Sequence, residues 1–482
     1  MDVSKGNALN NISSPHLPLR VSTLTLAGAL CLASHAGPAP AANTPLPTTP
    51  GLTGVQQPVA NAIDVVCPDL VFNRNVAPNP SGTEPERLAY SCSAMVVTSY
   101  VQQFGTNPPF DPTGSLDLRI SNEQLRELVQ AAGPVQMNAQ KQVTTTSARL
   151  NLLAARLFDL RGGARGFSVS MNDADAPQHA AAAQASGGGA SADFGGRLGG
   201  FVKLAGNWGK VDRTDLQDAY DYDAFSVLAG VDYRVTEAFV LGGAVSYEDT
   251  RSRFDNSLGH IDATTWSFSG YGTYTSGPWY VDGFVSYGHV DYDTTRTILI
   301  PSNNPSAPSL RGNATASPNG DQWSLAIGAG YNYALTGYTL VPFARLGYIH
   351  VKNKSFSESE PVTGLGLSVG DRTVESLQSA LGATISTTVN TSSGVFNPYF
   401  TAQWVHEFKN DNPSINAKFV NDPNNLQFFI PTADPTRDYG VFIVGSSATF
   451  ANGLSGFLQL GAAAGLKDAT NYSVVAGLRK EF

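Results

Sequence analysis

From residue 194 to Phe482 the sequence alternates, segment after segment, between an apolar residue and a small or polar one. In residues 239–247, Phe239, Leu241, Gly243, Val245 and Tyr247 share one face, and Val240, Gly242, Ala244, Ser246 and Glu248 share the other. Trp323, Leu325, Ile327, Ala329, Tyr331 and Tyr333 repeat the pattern, as do Leu454, Leu458, Leu460, Ala462 and Ala464. Period two describes extended strands with two unlike faces. After Ala33 no run of 18 apolar residues occurs, so no helix can cross a bilayer. If the chain enters a membrane it does so as a closed barrel, which leaves no backbone group unpaired in hydrocarbon.

Twelve such segments begin near Gly196, Phe225, Ala238, Thr264, Trp279, Gln322, Tyr338, Val374, Val395, Tyr439, Leu454 and Asn471. Tight turns follow every second one, at Thr236-Glu237, Ser276 to Pro278, Thr336-Gly337, Asn390 to Gly394 and Ala451 to Gly453. Most of the intervening connections are long and polar, including 295–320, 353–373 and 409–437. Short alternating with long predicts an all-β transmembrane barrel of about 12 antiparallel up-and-down strands. Aromatics near strand ends, among them Trp208, Tyr247, Trp266, Tyr274, Trp279, Trp323, Tyr333 and Trp404, are placed to form interfacial girdles. Only 14% of residues are charged, against about 25% in ordinary globular chains. The net charge of −9 and the lack of a Lys/Arg cluster exclude a nucleic-acid partner held by phosphate contacts.

The N-terminal part reads differently. Residues 1–36 have a polar start, an apolar core over 21–33 and small residues after it, as in a secretory signal peptide that passes through the general secretion pathway. Residues 37–60, rich in Pro, Ala and Thr, have linker composition. Export would leave Cys67 and Cys92 in an oxidising compartment, where a disulfide is expected; two buried thiols are the alternative. Apolar patches around these cysteines suggest a small helical unit within 61–137, and Ser121 followed by Glu123 marks the start of a further short helix. Leu150, Leu153, Leu157 and Leu160 recur at helical spacing within 138–161, opposite a face carrying Arg149, Arg156 and Arg161. Residues 162–193 are a second, Ala/Gly/Ser-rich linker.

No nucleophile elbow, zinc-protease, P-loop or dinucleotide motif occurs, so no catalytic residue, metal ligand or cofactor-binding residue is assigned. His406 and Glu407 are adjacent and point to opposite faces of a strand. Asp212, Asp215, Asp218, Asp221 and Asp223 lack the spacing of a calcium loop and read as a solvated loop.

Several segments carry a resemblance. Gly200-Phe-Val202, Ala229 to Arg234, Tyr280 to Gly288, Trp404 to Phe408, Phe419 to Pro423 and Ala476 to Phe482 resemble, in order, the translocator barrel of autotransporters, the type V secretion family. Cys67 to Leu70, Cys92 to Val96 and Ala155 to Ala164 are similar to a subgroup with a short passenger. The final strand, with Tyr472, Val474, Ala476, Leu478 and Phe482 on one face, resembles the signal read by the barrel-assembly machinery, with Lys480 as a departure from that pattern.

The resemblance implies that the helix before the barrel lies in the lumen. A helix over 138–161 would be roughly 36 Å long, enough for a core of about 30 Å. Its arginines would then face Asp232, Glu248, Asp282 and Glu407. The expected protein is a monomer in outer-membrane lipid of a Gram-negative cell, showing its own N-terminal segment at the surface. The alternative is a passive channel or structural barrel that keeps its N-terminal helices as a plug or periplasmic domain. No Asn-Asn pair lies in the helix, Asn303-Asn304 and Asn424-Asn425 being in loops, so no cleavage inside the barrel is expected.

Overall fold

A computed structural model describes residues 45–134, 152–157, 160–161, 197–409, 413–450 and 454–480. Twelve strands form the wall: β1 Leu198–Val211, β2 Tyr220–Thr236, β3 Phe239–Phe254, β4 Gly259–Ser276, β5 Trp279–Ile300, β6 Asn319–Tyr331, β7 Tyr338–Asn353, β8 Arg372–Ser386, β9 Gly394–Glu407, β10 Asp438–Phe450, β11 Leu454–Ala464 and β12 Ala469–Lys480. Each pairs antiparallel with its neighbour in sequence, and β1 pairs with β12 from Leu204↔Ala476 to Val211↔Ala469, which closes the barrel. Closure removes the free edges that an open sheet would expose.

The two faces separate as the alternation demands. Phe268, Leu325, Ile327 and Val444 point outward and are each more than half exposed, which water would penalise and hydrocarbon favours. Serines and threonines such as Ser246, Thr265, Ser267 and Ser324 are buried on the inner face. Trp208, Trp266, Tyr287, Trp323 and Trp404 ring one end of the outer surface, and Tyr274, Trp279, Tyr333 and Tyr338 ring the other.

Several strands begin earlier than the sequence pattern indicates: β2 at Tyr220 rather than Phe225, and β4 at Gly259 rather than Thr264. Strands of 16 to 22 residues exceed the ten or so a bilayer needs. The surplus lies at the long-connection end, where polar residues replace the apolar stripe while the ladder continues: Arg253 pairs with His260, and Asp262 with Asp293.

The long connections carry structure of their own. Residues Leu310–Ala316 pair back on β5, and Phe356–Ser357, Leu367–Val369, Ile415–Phe419 and Phe428–Ile430 form a separate four-stranded sheet. Against it pack three helices: α1 Gln56–Pro68, α2 Glu84–Phe104 and α3 Asn122–Ala132. Thr83 with Glu86 and Ser121 with Gln124 form capping boxes that start α2 and α3. Gly105, at φ +69°, ends α2 in the left-handed conformation that glycine adopts without strain. The linker expected over 37–60 gives way within the described part, because Leu46 is fully buried and α1 begins at Gln56.

Candidate functional site

The helical unit is a cap seated on the long-connection end of the barrel. Its core is shared: Ile63, Leu70, Leu88, Met95, Leu118 and Leu125 from the cap join Ile298 of β5 and Ala314, Leu367, Phe419, Phe428 and Ile430 from the connections, all buried. Cys67 and Cys92 are joined by a disulfide that ties α1 to α2, with Cα atoms 5.7 Å apart.

Polar contacts fix the seat. Asn304 Nδ2 donates to the carbonyls of Gly114 (2.9 Å) and Asp117 (2.6 Å), and Asn303 Nδ2 to that of Arg119 (3.0 Å). Asn424 Nδ2 donates to Asp69 Oδ2 (2.6 Å), while Arg74 donates to Asn424. Both Asn-Asn pairs therefore bind the cap. Buried Arg296 from β5 donates to the carbonyls of Ala131 and Leu365 and pairs with Glu358, so one guanidinium joins barrel, cap and loop sheet. Ser91 Oγ donates to the Thr363 carbonyl at 2.6 Å.

Beside that contact, Gly364 (φ +74°) comes so close to α2 that a Cβ would lie 2.3 Å from the Leu88 nitrogen. Gly364→Val should displace the cap and leave the barrel intact. Protease added to the protein in detergent micelles should then digest residues 45–134 while the barrel keeps its heat-modifiable gel mobility; a protected cap would refute this reading of the contact.

The acidic connection 212–219 is not the solvated loop its sequence suggests. Asp215 accepts from the Gly54 N–H (2.8 Å), and Asp218, 4% exposed, accepts from Gln130 Nε2 (3.0 Å). Burial pushes the Asp218 carboxyl up from 3.8 to about 6, against the opposing pull of Arg213 and Gln130. A carboxyl with a higher pKa folded than unfolded binds its proton more tightly in the folded state. Cap docking should therefore be strongest below about pH 4, weaken as pH rises to about 6, and level off above. Asp218→Asn keeps the acceptor and should flatten that slope, with a gain of roughly 1–3 kcal/mol at pH 7, read as cap melting across pH 4–8.

Within the barrel, residues 152–157 and 160–161 are helical and face the wall. Leu152, Leu153, Leu157 and Leu160 are buried with Phe201, Leu228, Tyr271 and Phe284. Arg156, 1% exposed, donates through Nε to Asp232 Oδ2 (3.1 Å), pairs with the same carboxylate through Nη2, and lies 4.6 Å over the Phe201 ring. Tyr271 OH donates to Asp232 as well. Arg161 pairs with Asp282 and stacks 3.7 Å over Tyr280.

Glu248 is buried in the wall and accepts from Ser226 Oγ. Glu407 accepts from Ser376 Oγ, the Leu377 N–H, Gln378 Nε2 and the Lys409 N–H, contacts that brace β8 and β9. Arg149 lies outside the described residues. Lys203, over Phe457 at 5.3 Å, and Arg345 were not singled out from the sequence. With Arg161, Asp282, Gln403 and Gln459 they line a cavity of about 120 Å³ beside the helix. A strand-borne Lys or Arg on the small-residue face was the available signal. On β12, Tyr472, Val474 and Ala476 share the outward face, and Tyr472 stacks on Trp208 at 6.3 Å. Leu478 is placed in β12 by its backbone, and Phe482 lies outside the described residues.

Residues 200–461 match the family model for the autotransporter β-domain, more than half of the chain. The chain belongs to the autotransporter β-domain family. The autotransporter barrel is an outer-membrane translocator of Gram-negative cells, with its own N-terminal segment inside. Curated relatives include a protein of the trpE-trpG intergenic region of Pseudomonas putida, 27% identical over 42% of this chain and 33% of that one. An extracellular serine protease of Serratia marcescens is 28% identical over 44% of this chain and 19% of its own. The autotransporter chain thus matches a third or less of the length of these relatives. Among solved structures, the translocator domain of NalP from Neisseria meningitidis aligns with a TM-score of 0.47 at 16% identity, covering 71% of this chain and 99% of that one. The Bordetella BrkA β-domain aligns at 0.42 and 15% identity, over 59% of this chain and 100% of that one.

Proposed function

We propose that this chain is an autotransporter that carries its own short N-terminal segment through the barrel and keeps it at the cell surface as a cap. The observation that supports this is topological. The cap ends at Pro134 beside the long connections, whereas β1 begins at Leu198, paired with Tyr233 next to the tight turn after Thr236. Between these points in sequence, residues 152–157 and 160–161 lie in the lumen, held by Arg156–Asp232 and Arg161–Asp282. Long connections face outward in outer-membrane barrels.

Export through the general secretion pathway and insertion by the barrel-assembly machinery belong to the same reading, as does a monomeric state. The cap stays attached: the contacts through Asn303, Asn304, Arg296 and Ser91 hold it without relying on the tether.

The test is protease access on intact cells to an epitope tag inserted after Thr106, in the exposed turn beyond α2. A second tag, at the Ala451–Gly453 turn, is the periplasmic control. Cleavage of the first with protection of the second is expected. Protection of both until the outer membrane is broken would overturn surface display and favour a barrel that retains its N-terminal helices inside the cell.

A further inference from the structure

The two ion pairs that seat the lumenal helix are built on the same plan. Each wall carboxylate stands in a row of three paired residues whose middle member is glycine. One row is Asp232 on β2, Gly242 on β3 and Tyr271 on β4. The other is Asp282 on β5, Gly328 on β6 and Arg345 on β7. Glycine leaves the middle of the row without a side chain, so the residue on the far strand can reach across it. The Tyr271 ring lies over Gly242, and its OH donates to Asp232. The stem of Arg345 runs beside Gly328, where a Cβ would sit 3.6 Å from Arg345 Cγ.

What reaches across the glycine differs. At Asp232 it is a neutral donor, so the carboxylate keeps its whole charge for Arg156. Both oxygens of Asp232 accept hydrogen bonds, and the two partners are only 1% and 4% exposed. At Asp282 it is a second guanidinium. Arg161 pairs with Oδ2, while Oδ1 is buried with no hydrogen-bond partner among the described residues. Arg345 lies within electrostatic reach of Asp282 and Arg161, and all three line the cavity of about 120 Å³. The Arg161–Asp282 pair is more open, at 9% and 16%.

A buried ion pair resists breaking chiefly because the abandoned charge stays desolvated without a partner. Lifting Arg156 away would leave Asp232 with a tyrosine alone. Lifting Arg161 away leaves Asp282 beside another cation, whose forked guanidinium matches a carboxylate. While both arginines share that carboxylate, they also repel each other.

We propose that Arg345 is a relief partner for Asp282, which makes the Arg161 end of the lumenal helix a releasable latch and leaves Arg156–Asp232 as its fixed anchor. When Arg161 lifts away, the Arg345 guanidinium crosses Gly328 to Asp282 Oδ1; when the helix returns, Arg161 displaces it. Residues 160–161 open and reclose on the wall while residues 152–157 stay in place. The inference concerns the seated helix alone and does not depend on which side of the membrane holds the N-terminal segment.

The test uses the full chain in detergent micelles, with one new cysteine at a buried leucine near either arginine: Leu160→Cys beside Arg161, or Leu153→Cys one turn before Arg156. Modification by a small methanethiosulfonate is timed by mass spectrometry of the peptide that holds the new thiol, and only the heat-modifiable, folded species is scored. Position 160 should react about tenfold faster than position 153. Arg345→Gln leaves Asp282 to Arg161 alone and should slow position 160 about tenfold, with position 153 unchanged. Arg345→Lys keeps the charge and should keep most of the faster rate. Gly328→Val obstructs the crossing, spares the guanidinium, and should slow position 160 as well. The sign separates this role from a structural one, since losing a residue that merely packs the wall would loosen the helix. Equal rates at the two positions with Arg345 in place, or a rate at position 160 that neither Arg345→Gln nor Gly328→Val lowers, would overturn the proposal.

Discussion

Arg156→Glu should unseat the lumenal helix and raise single-channel conductance in planar bilayers. The guanidinium and Asp232 are both almost completely buried, and Tyr271 completes the carboxylate's shell. Breaking such a pair from one side typically costs about 3–5 kcal/mol, because the remaining charge stays desolvated. Two facing carboxylates are worse still, and the helix can relieve them by leaving the wall. Arg156→Glu/Asp232→Arg restores opposite charges and should bring conductance part of the way back. Unchanged conductance in Arg156→Glu would mean that this contact does not hold a plug.

Cys67→Ser/Cys92→Ser should make the cap protease-sensitive while the barrel still migrates as a folded species. Chain-entropy estimates for a loop of this size give roughly 3 kcal/mol, a large share of what a cap of three helices can supply on its own. The loss should be selective, because the strand ladders of β1–β12 contain neither cysteine. Reduction of the wild type with dithiothreitol should reproduce it. A cap equally resistant with and without the disulfide would show that the shared core with the loops is sufficient.

The strands were legible because their information is local. Alternation at period two survives in any window of ten residues, so the wall, its order and its girdles follow from reading along the chain. Ser121 and the spacing of Leu153, Leu157 and Leu160 are local in the same sense. The four-stranded loop sheet was not legible: Phe356–Ser357, Leu367–Val369 and Phe428–Ile430 are too short to show a period. Nor were the ligands of the cap. Asn304 meets Gly114 across 190 positions, and Ser91 meets Thr363 across 272. Gly364 carries no mark of the helix backbone it touches. For Glu407 the alternation identifies only the lumen-facing side, and the register of β8 against β9, Gln378↔Glu407, shows which wall residues reach the carboxylate.

The shared core also inverts time. A ribosome makes residues 45–134 well before residues 413–430, yet Leu70, Met95 and Leu125 find their hydrophobic surroundings completed by Phe419, Phe428 and Ile430. The cap must wait for these later strands before it can finish folding. That order ties completion of the cap's core to the loop sheet that the barrel carries.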